Sequence, residues 1–155
     1  MIVVVSDTSA ISALLQIGEI EILRQLYGQI QIPEAVETEL KRSHNLIPAF
    51  IRTVSVPTSP ALSKRLRLLD VGEAHAITLA EQIRADLLLI DEKKGRVVAA
   101  DAGLQYMGLA GALIEAKRRK IISSLKELLT RITEHAGFRL SPDVRIAVLK
   151  AAGEL

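Results

Sequence analysis

Two periods of apolar residues alternate along this chain. Short apolar runs are separated by stretches in which apolar residues recur every three or four positions. The runs predict buried strands, and the stretches predict helices with one buried face. Ile2 to Val5 is a β-branched run that predicts a first strand ending at Ser6-Asp7. Ile11, Leu14, Leu15 and Ile17 predict a helix from Ser9 to Gly18, and Ile20, Leu23 and Leu26 a second from Glu19 to Tyr27, stopped by Gly28. Gln29 to Ile32 alternates as a short strand, and Pro33 suits the first turn of a helix reaching about Arg42. Further strands are predicted at 51–56, 86–90 and 105–107. Further helices are predicted at 60–69, 72–84, 91–102 and 108–119.

Strands alternating with helices predict an α/β fold with a parallel sheet and helices on both faces. The tail is different. Residues 124–135 and a stretch opening at Ser141-Pro142 predict two helices with no strand between them. Residues 1–155 therefore read as a single domain, an α/β core over 1–120 with a helical C-terminal appendage over 121–155. No repeat or linker interrupts it.

Composition narrows the chemistry. There is no Cys, which excludes disulfide scaffolds, Cys-ligated metals and thiol nucleophiles. The aromatics are two Tyr and two Phe, too few for a surface that reads nucleic acid by stacking bases. No apolar run is long enough for a membrane span, and the N-terminus lacks a secretory pattern, so a cytoplasmic protein is expected. The net charge of +2 conceals an uneven distribution. Residues 1–92 carry a net −4, residues 93–120 a net +5 and residues 121–155 a net +1.

Four acids carry the candidate chemistry. Asp7 and Asp91 each follow a strongly apolar strand, at the carboxyl edge where open parallel sheets bind ligands. Either also suits a turn or a helix N-cap. Glu73 shares a helix face with Ala76, Ile77 and Ala80, so its carboxylate borders the core. Near a helix start it also suits the dipole. Glu39 falls inside the apolar arc of Ala35, Val36 and Leu40, or is an ordinary surface Glu. If the four converge, their repulsion is relieved by protonation or by a hard divalent cation. An all-oxygen set suits Mg²⁺ or Mn²⁺, which activates water against a phosphodiester. Lys93, Lys94 and Arg96 follow Asp91 at once and are candidates to hold phosphates.

Val4-Val5-Ser6-Asp7-Thr8-Ser9-Ala10 resembles the opening strand and Asp-Thr-Ser motif of the PIN-domain family. Pro33 to Leu40 resembles the helix bearing that family's Glu. Gly72-Glu73-Ala74-His75-Ala76-Ile77 resembles its third acidic motif, with Glu where many members have Asp. Leu88-Leu89-Ile90-Asp91-Glu92 resembles the fourth. The order and spacing agree over about residues 1–115. Gly-Glu-Ala, Asp-Glu, the later Gly108 to Gly111 and the tail motifs Ala136-Gly137-Phe138 and Ser141-Pro142 are similar to the DUF3368 subgroup.

The resemblance implies a PIN-like three-layer α/β/α fold with a central, mostly parallel sheet. It also implies a metal-dependent endoribonuclease, the VapC-like toxin of a toxin–antitoxin pair, often a homodimer held inactive by a small antitoxin. On that analogy Asp7, Glu39, Glu73 and Asp91 hold Mg²⁺ or Mn²⁺ and activate water, and Ser9 supports the site by hydrogen bonding. One competing reading is an inactive PIN-like module that binds RNA or an antitoxin. Another is a phosphotransferase with Asp7 as nucleophile, although a haloacid-dehalogenase-like enzyme would want Asp where Ser9 stands.

The remaining polar residues read as structural. His75, His44 and His135 look incidental or partly exposed, Glu92 reads as a first-turn acid with a fifth ligand as its alternative, and Asp101 lies near a helix end. Lys117-Arg118-Arg119-Lys120 is equally a helix-closing run or an RNA or antitoxin contact. Leu14, Leu15, Ile22 and Leu23 serve equally a core or a dimer face.

Overall fold

The computed structural model describes residues 2–155. Five strands are present: β1 (Val4–Ser6), β2 (Ile30–Pro33), β3 (Ile51–Val54), β4 (Leu87–Leu89) and β5 (Tyr106–Met107). They form one parallel sheet in the order β3-β2-β1-β4-β5. Between and after them lie α1 (Thr8–Gln16), α2 (Glu21–Tyr27), α3 (Glu34–Lys41), α4 (Pro60–Leu68), α5 (Val71–Gln82), α6 (Lys93–Asp101), α7 (Leu109–Arg118), α8 (Leu125–Ala136) and α9 (Pro142–Ala151). No described helix is long and apolar enough to cross a membrane.

The strands sit between two apolar layers, which is why their sequences run apolar instead of alternating. Val4 and Leu89 face a large core with α1, α2, α3, α7, α8 and α9. Val5, Leu88 and Ile90 face the opposite way, into a core with Ala76, Ile77, Leu79 and Ala80 of α5 and Ala99 of α6. The result is the three-layer α/β/α arrangement of a PIN-like fold.

Element boundaries differ from the periodicity reading by one or two residues. The first strand begins at Val4 and includes Ser6, while Ile2 is exposed. Pro33 is not the first helical residue. It ends β2 with extended backbone and stands at the N-cap of α3. The helix expected from Gly72 starts at Val71, because Asp70 caps it by accepting a hydrogen bond from the Glu73 amide at 2.9 Å.

The tail helices are integral to the larger core. Leu125, Leu128, Leu129 and Ile132 of α8 and Val148 and Leu149 of α9 are buried with residues of α1 and α7. Glu154 ties them down. Its carboxylate accepts from the amides of Leu125 and Lys126, the exposed N–H groups that open α8, and from Lys117 Nζ at the end of α7. The basic run at 117–120 is largely spent in this way. Lys117 also reaches the Ser123 carbonyl, Arg118 pairs with Glu115, and Arg119 donates to the Leu26 and Gln25 carbonyls at the end of α2. Leu14, Ile22 and Leu23 are buried within the chain, so core packing accounts for them.

Leu129 is 1% exposed. Leu129→Ala is expected to cost about 2–5 kcal/mol, measured by urea or thermal unfolding, because a core cavity is left. A helix merely resting on the surface would show a cost under about 1 kcal/mol.

Candidate metal centre

The sheet order creates the site. From β1 the chain leads to β2 and β3 on one side, while β4 and β5 lie on the other. A crevice opens where strand order reverses, at the carboxyl ends of β1 and β4. These strands pair Val5 with Leu88 and Ser6 with Leu89, and the Asp7 amide extends the ladder by donating to the Leu89 carbonyl at 3.0 Å. Asp7 and Asp91 therefore leave the same sheet edge side by side.

Asp7 is 2% exposed. One of its oxygens accepts from the Ser9 amide at 3.2 Å, so it caps α1 and borders the crevice at once. Ser9 supports the site through its backbone N–H. Glu73, 7% exposed, stands in the first turn of α5, and its Oε2 is buried without a hydrogen-bond partner. Gly95 of α6 backs onto it: a Cβ there would lie 3.4 Å from Glu73 Oε2 and 2.6 Å from Ile90 Cδ1. Asp91 accepts through Oδ1 from the Leu109 amide at 3.1 Å, at the opening of α7, while its Oδ2 is buried and unpartnered. Arg96 Nη2 lies 3.5 Å from Asp91 Oδ1.

The electrostatics follow from burial and like charge. Burial, then the charges of Asp91 and Glu73, hold the Asp7 carboxyl well above its usual range, against the Ser9 amide and with a further push from Asp70. Burial, then Asp70, pushes Glu73 up to about 7. Burial raises Asp91, opposed by the Leu109 amide and Arg96. Glu92 adds a push on both Glu73 and Asp91, so Asp7, Glu73, Asp91, Asp70 and Glu92 form one repelling group.

Glu39 stands beside this group. Its Oε2 accepts from Thr8 Oγ1 at 2.7 Å, and its carboxyl lies against Gly72, where a Cβ would overlap Oε1 and stand 3.0 Å from Cδ. It is thereby held between the residue after Asp7 and the residue before Glu73. With Ala35, Thr38, Arg42, Asp70 and Val71 it lines an open cavity of about 550 Å³. Among the described residues no three His, Asp or Glu side chains are gathered closely enough to hold an ion as they stand. What the site provides is an all-oxygen, buried and under-neutralised set with two orphaned oxygens, which fits a hard divalent cation.

Lys93 and Lys94 are exposed in the first turn of α6, whereas Arg96 is half-buried and already engaged. Glu92 is exposed and Asp101 closes α6 on the surface. His75 is half-buried and held below its usual pKa by burial, against the pull of Glu39. His44 is not incidental: its Nε2 meets Ser12 Oγ at 3.0 Å and ties the end of α3 to α1. His135 is exposed on α8.

Asp70, Thr8, Gly72 and Gly95 are not legible as site residues from periodicity alone. Asp70-Val71-Gly72-Glu73 does carry a signal, an N-cap acid followed three residues later by Glu. Starting the helix at Gly72 hides it.

A carboxyl whose proton affinity is raised in the folded state costs stability once it ionises. For Glu73 that cost is absent below about 4.5, grows with pH and is complete above about 7. The metal-free protein is therefore expected to melt at lower temperature at pH 8 than at pH 5. Glu73→Gln is expected to raise the pH 8 melting temperature by about 2–4 °C, the shift that ~1 kcal/mol gives in a chain of this size, and to flatten the profile. An unchanged profile would contradict the charge clustering.

A family model described as a PIN domain, of the DUF3368 group, matches residues 3–154. A search of curated proteins gives no match. The matched span takes in the whole sheet, all four acidic motifs and the tail helices. The PIN fold is of nuclease type. This chain belongs to the PIN-domain family.

Proposed function

We propose that the protein is a metal-dependent endoribonuclease that hydrolyses RNA phosphodiesters with Mg²⁺ or Mn²⁺. The observation that carries this reading is the pair of buried, unpartnered oxygens, Glu73 Oε2 and Asp91 Oδ2, in one repelling group with Asp7. Evolved interiors seldom leave such atoms without a partner, so they call for a cation. Asp7, Glu73 and Asp91 would hold it, with Glu39 at the rim. A bound divalent cation supplies the positive charge that acidifies water and stabilises the charge developing on phosphate.

The chain's own residues do the positioning. Asp70 fixes the first turn of α5 and with it the base of Glu73. Thr8 fixes one oxygen of Glu39, and the Leu109 amide fixes one oxygen of Asp91. The carboxylates of Glu39 and Asp91 are thus each restrained through a single oxygen, while Glu73 is fixed at its backbone. Lys93 and Lys94 present two exposed ammonium groups one turn beyond Asp91, suited to phosphates flanking the scissile one. With four aromatic residues in the chain, RNA would be held through its backbone and shape.

Family resemblance alone extends the proposal to a toxin restrained by a small cognate antitoxin and to a homodimer; the cytoplasmic location is proposed from the sequence, which has no secretory pattern or membrane-length apolar run. An adjacent upstream reading frame encoding a small DNA-binding protein would support the pairing.

Asp7→Asn and Asp91→Asn are expected to lower Mn²⁺-dependent RNA cleavage by at least about a hundredfold. Far-ultraviolet circular dichroism should remain that of the folded protein. Cleavage at the wild-type rate by both purified variants, once contaminating nuclease is excluded, would overturn the proposal.

A further inference from the structure

We propose that Arg96 is a built-in counter-ion of the carboxylate crevice. In the metal-free protein its guanidinium holds Asp91; cation binding releases it, and it then serves substrate phosphate. This rests on the metal-dependent reading above and adds to it a resting state and an exchange.

Three observations carry the inference. First, Arg96 is the one cation paired with the crevice among the described residues. Its Nε donates to the Ile90 carbonyl at 3.3 Å and its Nη2 stands 3.5 Å from Asp91 Oδ1, while Asp7 and Glu73 form no ion pair. A single guanidinium pairs with one carboxylate of the three, and the two orphaned oxygens show how incompletely the group is neutralised.

Second, the contact is loose. At 3.5 Å, with 41% of the Arg96 side chain exposed, it is longer than a hydrogen bond and partly solvated, the class of ion pair that is given up readily. The donation to Ile90 anchors the guanidinium beside the site independently of Asp91.

Third, the fold keeps room for this pair. A Cβ at Gly108 would lie 2.6 Å from Arg96 Nη2 and 2.6 Å from Asp91 Oδ1. Gly108 has φ −87°, a backbone that any residue adopts, so its conformation does not require glycine. The space does. Once freed, Arg96 lies on the same helix start as Lys93 and Lys94, and its planar fork suits a phosphate better than either ammonium.

Exchange has a reciprocal signature. If the cation and Arg96 compete for Asp91, removing Arg96 must strengthen cation binding. Calorimetric titration with Mn²⁺ alone is expected to show about tenfold tighter binding to Arg96→Gln than to wild type. Thermal melting supplies the second readout. Without metal, Arg96→Gln should melt below wild type, because Asp91 has lost its cation, and saturating Mn²⁺ should close that gap. Arg96→Lys keeps the charge but loses the fork, and should shift both measurements less and in the same direction. A merely structural arginine would leave the melting gap open at saturating Mn²⁺. Unchanged or weaker Mn²⁺ binding by Arg96→Gln, with wild type binding normally, would overturn the exchange alone. Failure of both proteins to bind millimolar Mn²⁺ would overturn the metal-dependent reading beneath it.

Discussion

Three carboxylates share a buried crevice with one loosely held guanidinium, and that electrostatic imbalance is the constraint on which the structure turns. Burial first, and then neighbouring carboxylates, raise the proton affinity of all three: Asp91 and Glu73 act on Asp7, Asp70 and Glu92 on Glu73, and Glu92 on Asp91. A fold selected for stability alone would replace such a group with apolar side chains of similar volume. This group stands at a strand-order reversal with two oxygens left unpartnered, where the proposed cation would offset the lost stability.

The rest of the molecule makes that arrangement tolerable. Strands β1 and β4 are buried on both faces, so the sheet edge from which Asp7 and Asp91 project is rigid. Three of the four acids are also restrained by a backbone amide or a hydroxyl: Ser9 for Asp7, Leu109 for Asp91 and Thr8 for Glu39. Glycines 72, 95 and 108 let helix backbones approach the carboxylates and Arg96 more closely than any larger residue allows. The tail helices α8 and α9, locked by Glu154, thicken the core behind α1 and α7.

Much of this was legible in the sequence because apolar patterning reports burial directly. The runs at Val4-Val5 and Leu87 to Ile90 marked both central strands, and an Asp at the end of each located the crevice. Glu73 was legible because its neighbours at helical spacing are apolar. Side-chain direction and competition were not legible. Arg96 reads as a free phosphate ligand until Asp91 is seen against it, and the run at 117–120 reads equally as a helix end or a contact surface until Glu154, Glu115 and the end of α2 are seen against Lys117, Arg118 and Arg119. Asp70 is hidden when the helix start is read one residue late, at Gly72 instead of Val71. Glu39 shows the limit of a motif: order along the chain brought it to the crevice, but only the structure places it on Thr8 and not in the repelling group.

The most direct test of the central claim is a crystal structure of the protein grown with Mn²⁺, read by anomalous scattering. The account predicts a single strong peak among Asp7, Glu73 and Asp91, with the two unpartnered oxygens turned onto it. A peak elsewhere, or none at a saturating concentration, would contradict it.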